Sequence, residues 1–502
     1  MENLRLVVKP EASRLLAKIS RFLSKEGIGA YLVGGFVRDM LLVRDTADID
    51  IAVAADAPAT AGKVANVLDG KCIPLDEENG VARIVLPESK WQIDFTTLQG
   101  DIENDLANRD FTIDAMAIGL EADFTAAIDP AGLIDPFNGR EDLDRGMVKA
   151  VSDTVFEADA ARLIRAVRIA AELGFHIDSH TAQLIKRDCK LITNVAGERV
   201  REELLRLLAI PGAGQRLAHL DELGLLTALI PELNPAKGVD QPRVHVWDVF
   251  EHSIQTVSAV EFVLRESPLK YAGEEVLAVV PWSAELSRHL NREISHGSTG
   301  RSMLKLAALL HDIAKPQTKT MDDGRARFLG HQQEGAAIAA AVMERLRFSK
   351  REIKLTELLI NHHLRPTQMS HEGLPTRRAI YRYFRDTGEA GIDLLFLCLA
   401  DHLATRGHTL DLREWQAHAQ MTAYVLEKRN EEANITEPPR LIDGNDIIKT
   451  FRLSPGPAIG ELLEALREAQ AAGEVTDPKQ ALDYVKNLLN NHKRTSRSRG
   501  DK

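Results

Sequence analysis

Aromatic residues are scarce in this chain, at 5% of 502 residues, and cysteine is scarcer still: Cys72, Cys189 and Cys398 are widely spaced and odd in number. Such a set builds neither a disulfide framework nor a zinc–thiolate site, which points to a reducing compartment. No apolar run approaches the roughly 20 residues that a membrane helix needs. The N-terminus also lacks a basic-then-apolar leader, so the expectation is a cytoplasmic protein without membrane contact. An excess of positive charge is missing as well. The formal net charge of −11 excludes a protein that coats nucleic acid indiscriminately, and confines any nucleic-acid contact to local basic surfaces.

What is present is enough sequence for three or four folded units at roughly 150 residues each. The first 150 or so residues alternate strand-like and helix-like stretches, as in a mixed α/β domain. From about Asp153 strand signals nearly vanish, and apolar residues recur at three- and four-residue spacing, as in LIRAVRIAAELGF and ERVREELLRLLAI. Breaks fall at PGAG (211–214), at 235–242, at 266–300 and near 434–441. No convincing internal repeat is found. The closing KRTSRSRGDK is too polar to pack and reads as a disordered basic tail.

The chemistry gathers near the start. In TADIDIAV, period-two alternation puts Ile49, Ile51 and Val53 on one strand face and Asp48 with Asp50 on the other. Like charges that close repel unless a cation lies between them, and hard divalent cations such as Mg2+ take carboxylate oxygens. In WQIDF, Asp94 lies opposite Trp91, Ile93 and Phe95, and can supply a third carboxylate from a neighbouring strand. Three carboxylates on a sheet suit two-metal nucleotidyl transfer. Upstream, YLV runs into Gly34-Gly35 and then a helix near Phe36, a turn whose amides can meet phosphates, with Arg38 one helical turn on as a forked donor. Alone, a DxD pair is more often a solvated strand face. Its proximity to GGFVRD is what favours a site.

Residues 31–53, YLVGGFVRDMLLVRDTADIDIAV, resemble the signature of the DNA polymerase β superfamily, specifically the class II tRNA nucleotidyltransferase and bacterial poly(A) polymerase family. NRDFTIDAMAI (108–118), DPFNGREDL (135–143), DAARLIRAVRIAAELGF (159–175) and GERVREELLRLL (197–208) follow in the family's order. The resemblance implies an elongated multidomain protein: an α/β nucleotidyltransferase head (1–150), a helical neck with a base-recognition helix (151–240), an HD domain (241–425), a helical, tRNA-binding tail (426–490) and the basic end (491–502). It implies that Asp48 and Asp50 hold catalytic Mg2+, and that Gly35, Arg38 and Arg109 contact the incoming nucleotide; the strand pattern adds Asp94 as a third catalytic carboxylate and the glycine turn adds Gly34 to the nucleotide contacts. On a helix from Asp159, Leu163, Ile164, Val167 and Ala171 form the buried stripe and Arg162, Arg165 and Arg168 the other face, either a solvated surface or an anion and base reader. By resemblance, Asp159 and Arg162 template the Watson–Crick edges of CTP or ATP. The chain departs from the family pattern at Ala158, where a Glu is usual, at Asn108, usually Arg, and at Asp114, usually Asn. Only LQGDIENDLAN separates TT from RD, a short connection that resembles A-adding members more than full CCA-adding ones.

A second constellation lies in the helical half. MLKLAALLHDIAKP carries His311 and Asp312, with His252, His331, His362, His363 and Asp401 on other helical stretches. A lone buried histidine is usually a satisfied core residue. This ordered set resembles the HD phosphohydrolase pattern, and suits Mg2+ or a divalent transition metal better than closed structural zinc. Hydrolysis and a purely structural tRNA scaffold remain open alternatives for it. In the tail segment LIDGNDIIKTFRLSPGPAIGELLEALREAQ, Gly456 and Gly460 flank a helix start that either meets a phosphate or is simply capped. Helix arginines 162, 165, 168, 199, 201 and 206 are the candidate phosphate contacts. The expected function is addition of CCA, or only its terminal A, to tRNA from CTP and ATP, with no obligatory protein partner. The alternatives are a poly(A) polymerase, or an HD phosphohydrolase whose head only binds nucleotides.

Overall fold

The computed structural model describes residues 9–498 except 77–79, 88, 90, 122–131, 243, 324, 370–372 and 432–438. The chain forms two compact units, Met1–Glu203 with His219–Leu229, and Leu204–Ala218 with Ile230–Lys502. The four-part reading of the sequence is finer than this division.

In the first unit, helix α1 (Pro10–Lys25) buries Ala12, Leu16, Ile19 and Leu23, one apolar face at helical spacing. Strand β1 (Ala30–Val33) meets α2 (Gly34–Leu41) at Gly34, whose φ of +66° lies in the left-handed region that glycine adopts freely. There follow β2 (Asp48–Val53), α3 (Ala57–Val67), β3 (Lys71–Asp76), β4 (Val81–Val85), β5 (Gln92–Thr97), α4 (Ile102–Ala107), β6 (Ala117–Gly119) and β7 (Leu133–Ile134). They form a seven-stranded sheet in the order β3-β4-β5-β2-β1-β6-β7. The β2–β5 pair is parallel, and its register sets Ile49 beside Ile93 and Asp50 beside Asp94. Ile49, Ile51, Ile93 and Phe95 are fully buried, so the apolar faces read from alternation form the core and fix which way the carboxylates point.

Two of the recurring motifs brace each other. Within NRDFTIDAMAI, Thr112–Asp114 form a 3-10 turn, and the Thr112 hydroxyl donates to Asp142 (2.7 Å) of α5 (Gly139–Asp144). Asp135 accepts from the amides of Gly139 and Arg140, closing the DPFNGR turn. Beyond it lie α6 (Val155–Ala158), α7 (Arg162–Leu173), α8 (Ser179–Asp188) and α9 (Gly197–Ala209). The helix expected from Asp159 starts three residues later. Asp159 is extended (φ −150°) in the break between α6 and α7, where its side chain accepts from the Ala161 amide. That local side-chain bond competes with helix formation.

The second unit is helical around α10 (Val249–Val263), α11 (Gly300–Leu310), α12 (His331–Arg345), α13 (Lys350–His362), α14 (Arg377–Thr387), α15 (Ala390–Arg406) and α16 (Leu412–Glu431). α10 packs on α11 and α15, and α12 on α13. Strands do not vanish entirely: Lys319–Asp322 and Arg325–Phe328 form a hairpin just before His331. The stretch 266–300, expected as a break, holds two short helices and a small ribbon. The break near 434–441 lies largely outside the described residues. Three further helices, α17 (Gly444–Phe451), α18 (Pro457–Ala471) and α19 (Pro478–Ser498), share a core of Ile447, Leu462, Leu466, Ala469, Ala481 and Val485. α19 runs to Ser498, where disorder was expected from 491. Its anchored first turns remove the nucleation cost, and Lys and Arg propagate a helix well. Residues 499–502 lie outside the described residues.

A Cβ on Gly139 would lie 2.0 Å from the Thr112 carbonyl oxygen. Gly139→Ala is therefore expected to destabilise the first unit by about 2 kcal/mol or more, read as a fall in the denaturation midpoint at constant slope.

Candidate active site

The register of β2 and β5 brings Asp50 and Asp94 side by side on one face, with Asp48 two residues earlier on the same face. Arg83 of β4 grips Asp94 with two bonds of 2.7 Å, Nε to Oδ1 and Nη2 to Oδ2. Burial pushes Asp50 up to about 6. Arg109 opposes this shift, while Asp94 and Asp48 add to it. Asp48 is exposed and Asp94 half-buried beside it, so this carboxylate cluster is open to a divalent cation that would offset its charge.

The glycine turn lies against this cluster. A Cβ on Gly34 would fall 2.9 Å from Arg109 Nη1 and 3.2 Å from Asp50 Oδ2, so only glycine lets both groups approach the backbone here. Arg109 also donates to Asp105 of α4 (3.1 Å). Arg38 is held by Asp39 (2.9 Å) and Asp114 (2.6 Å), and Asp114 is itself pushed up to about 6 by burial despite Arg38.

The Asp159 carboxylate accepts from Arg199 Nη2 (2.7 Å), while Arg162 Nε lies 4.0 Å away. Arg162 donates instead to the carbonyls of Asn108 (2.7 Å) and Arg109 (3.4 Å), which ties the expected base reader to the segment carrying Arg109. Arg165 and Arg168 do not behave as an open anion-binding face. Arg165 pairs with Asp110 and Glu203, and the buried Arg168 with Glu203 and Glu172. They are internal struts, because carboxylates distant in sequence cover the polar side of α7. Sequence reasoning missed Asp110 and Glu203 as partners, and counted Arg199 as a candidate phosphate contact rather than a partner of Asp159. The one available signal was the alternation of acids and arginines in GERVREE.

In the second unit six of the seven expected ligands converge. His252, His311 and Asp401 offer atoms within 4.8 Å of one another, as do Asp312, His331 and His363. Asp312 joins the two groups: its Oδ2 lies 3.1 Å from His311 Nε2 and 3.5 Å from His252 Nε2, its Oδ1 3.5 Å from His331 Nε2. The Nδ1 atoms of His311, His331 and His363 each donate to the carbonyl three residues back, Ala308, Phe328 and Ile360, which turns every Nε2 inward. The buried Nε2 atoms of His252 and His311 and both Asp312 oxygens make no well-aligned hydrogen bond. Burial pushes the His363 imidazole down to about 3, keeping it neutral as a ligand must be. Asp312 stays well below the carboxylate range because His311 and Lys315 outweigh burial.

His362 does not join. It is the last residue of α13, adjacent side chains on a helix diverge by about 100°, and it lies near Arg365 instead. Sequence reasoning also missed Lys315, whose ammonium contacts Asp312 Oδ2 (2.6 Å) and Gln241 (2.7 Å), and His245, edge-on to the His252 ring. At α18 the cleft beside Gly460 is lined by Glu461, Glu464 and Glu468, which suits the capped-helix alternative rather than a phosphate site.

Comparison with known proteins adds independent findings. The family described as "Poly A polymerase head domain" matches residues 30–103 and 88–149, "Probable RNA and SrmB-binding site of polymerase A" matches 174–237, and "HD domain" matches 274–406. The A-adding tRNA nucleotidyltransferase of Deinococcus radiodurans is 33% identical over 91% of this chain and 95% of its own length. The chain belongs to the tRNA nucleotidyltransferase family. The CC-adding tRNA nucleotidyltransferase of Thermus thermophilus is likewise 33% identical, over 91% of this chain and 93% of its own. A CCA-adding enzyme solved with ATP shares the fold at a TM-score of 0.63, with 23% identity over 96% of both chains. Membership in this family implies a divalent metal, and both carboxylate-bearing centres fit one. No described helix is long and apolar enough to cross a membrane.

Because the folded pKa of Asp50 lies above its unfolded value near 4, the metal-free protein loses stability as pH rises from about 4 through about 6. Asp50→Asn is expected to remove the Asp50 share of that pH dependence and to leave the share of Asp114, which is also raised to about 6. It should stabilise the metal-free protein at neutral pH by on the order of 1 kcal/mol, while abolishing transfer. Melting curves at pH 5 and 7.5, with and without Mg2+, check this.

Proposed function

We propose that this tRNA nucleotidyltransferase extends the 3′ end of tRNA from CTP or ATP and supplies part of the CCA terminus. The observation that carries the reading is the pairing of Asp50 with Asp94 beside the glycine turn, on a head whose Arg109 segment is bonded directly to Arg162. Asp48 and Asp50, with Asp94 braced by Arg83, are the residues that would hold Mg2+, which when bound supplies charge neutralisation at the phosphates. Arg109 and Arg38 orient the triphosphate so that its α-phosphorus faces the tRNA 3′-hydroxyl; the new P–O bond forms as pyrophosphate leaves.

Base choice follows from hydrogen-bond chemistry. Cytosine and adenine each present an amino donor beside a ring acceptor, which an Asp159 carboxylate and an Arg162 guanidinium complement, whereas guanine and uracil present a carbonyl where the amine would be. Arg199 must share or release Asp159 for this to occur.

Partial addition is supported by the short connection from Thr97 to Arg109, which holds only α4 and its turns, and by the A-adding and CC-adding names of the two relatives reported above. The A-adding form is the leading one; CC addition is the second reading, favoured by the Thermus relative. The assay supplies tRNA lacking CCA, tRNA ending in CC, and an unrelated RNA, each with CTP, ATP or both. Addition of A only to the CC-ended tRNA supports the leading form, and addition of CC alone the second. A complete CCA overturns partial addition, and long A tracts on unrelated RNA would mark a poly(A) polymerase instead. In the same assay Asp159→Ala should lower kcat/KM by about 100-fold or more and relax the choice of base.

For the second unit we propose metal-dependent phosphohydrolysis at the centre of His252, His311, Asp312, His331, His363 and Asp401, with a divalent transition metal or Mg2+. The support is the inward-facing cluster of Nε2 and carboxylate atoms, of which His252 Nε2, His311 Nε2 and the Asp312 oxygens make no well-aligned hydrogen bond. His311→Ala with Asp312→Ala is expected to abolish hydrolysis of phosphate esters and the bound-metal signal by elemental analysis, leaving nucleotide addition intact. We infer a cytoplasmic protein, because a transferase of this kind acts on tRNA.

A further inference from the structure

Arg38 lies on the first turns of α2, yet its guanidinium is anchored far along the chain. Nε donates to Asp39 Oδ1 (2.9 Å), and Nη1 donates to Asp114 Oδ1 (2.6 Å), 76 residues away. All three side chains are at least four-fifths buried. Nη2 has no hydrogen-bond partner among the described residues, and lies 3.4 Å from the point where a Cβ on Gly35 would sit. Asp50 Oδ2 lies 3.8 Å from that same point. The one unspent edge of the guanidinium is thus held over the glycine turn, beside the carboxylate cluster.

The anchor is rigid. Asp114 ends the 3-10 turn whose Thr112 is bonded to Asp142 and whose carbonyl packs against Gly139. The groups facing Asp114 are Arg38, Arg109, Asp39 and Asp110. A free arginine side chain loses up to about 2 kcal/mol of rotamer entropy when a ligand fixes it. One already clamped by two carboxylates loses much less, so its remaining donors bind an anion more tightly.

We propose that Asp114, together with Asp39, is a positioning residue that aims Arg38 Nη2 at the polyphosphate of the incoming nucleoside triphosphate. The carboxylate touches no substrate and acts only through Arg38. This rests on the reading that the glycine turn receives the triphosphate.

The test measures equilibrium binding of ATP and CTP to the full chain, and competition by adenosine and cytidine, which lack phosphate. Asp114→Ala and Arg38→Ala are each expected to weaken triphosphate binding about tenfold, and to leave the nucleosides within about twofold. The double variant should bind no worse than Arg38→Ala alone, the non-additivity of two residues acting as one unit. Should Asp114→Ala melt below the assay temperature, Asp39→Ala carries the same comparison. Equal weakening of nucleosides and triphosphates by Asp114→Ala would reduce the pair to a fold-stabilising contact and overturn the proposal. If only Arg38→Ala weakens the triphosphates, the clamp fails while the glycine-turn reading stands; if Arg38→Ala has no effect, that reading fails with it.

Discussion

Repulsion among Asp48, Asp50 and Asp94 is the constraint around which the first unit is organised. Parallel pairing of β2 with β5 places Asp50 against Asp94, and the fully buried Ile49, Ile51, Ile93 and Phe95 on the opposite face prevent either strand from rotating to relieve it. Arg83 and Arg109 neutralise part of the charge from two sides, and the absence of a side chain at Gly34 is what lets Arg109 come close enough. Burial raises the affinity of Asp50 for a proton, and the neighbouring Asp94 and Asp48 add to that rise. A hard dication that takes oxygen ligands is the natural counter-charge, and a triphosphate brings one with it.

The helical centre solves a similar problem with different chemistry. Here imidazoles outnumber carboxylates, and Asp312 is shared between two groups of ligands. Orientation comes from the backbone: three histidines are each pinned through Nδ1 to the carbonyl one turn earlier, so the geometry of the helix ends decides where the lone pairs point. Mixed nitrogen and oxygen donors admit transition metals that an all-carboxylate head site does not favour.

The acidic total of the chain takes on a different meaning once the arginines are placed. Arg162 is spent on backbone carbonyls, Arg165 and Arg168 on buried carboxylates, and Arg199 on Asp159. These residues brace the break between α6 and α7 and its surroundings, so their charge is largely spent within the fold. The same logic applies at α18, where Glu464 and Glu468 meet Arg385 and Arg382 of α14.

The amino-acid sequence by itself determined the features that depend on short-range periodicity. Alternation around Asp48–Val53 and Gln92–Thr97 settled which residues face the core, and hence that the carboxylates share the other face. Three- and four-residue spacing settled the helical half, and motif order settled the family. Everything that hinges on a partner far along the chain was left to the tertiary structure. Arg165 and Arg168 look solvent-facing from helical phase alone, and become struts only because Asp110 and Glu203 fold over them. His362 and His363 are equivalent as letters, yet the end of α13 turns only His363 toward Asp312. Arg38 read as a free phosphate donor until packing of the 3-10 turn brought Asp114 to within 2.6 Å of it. Local stereochemistry fixes the direction of a side chain, but packing across tens of residues decides what it meets there.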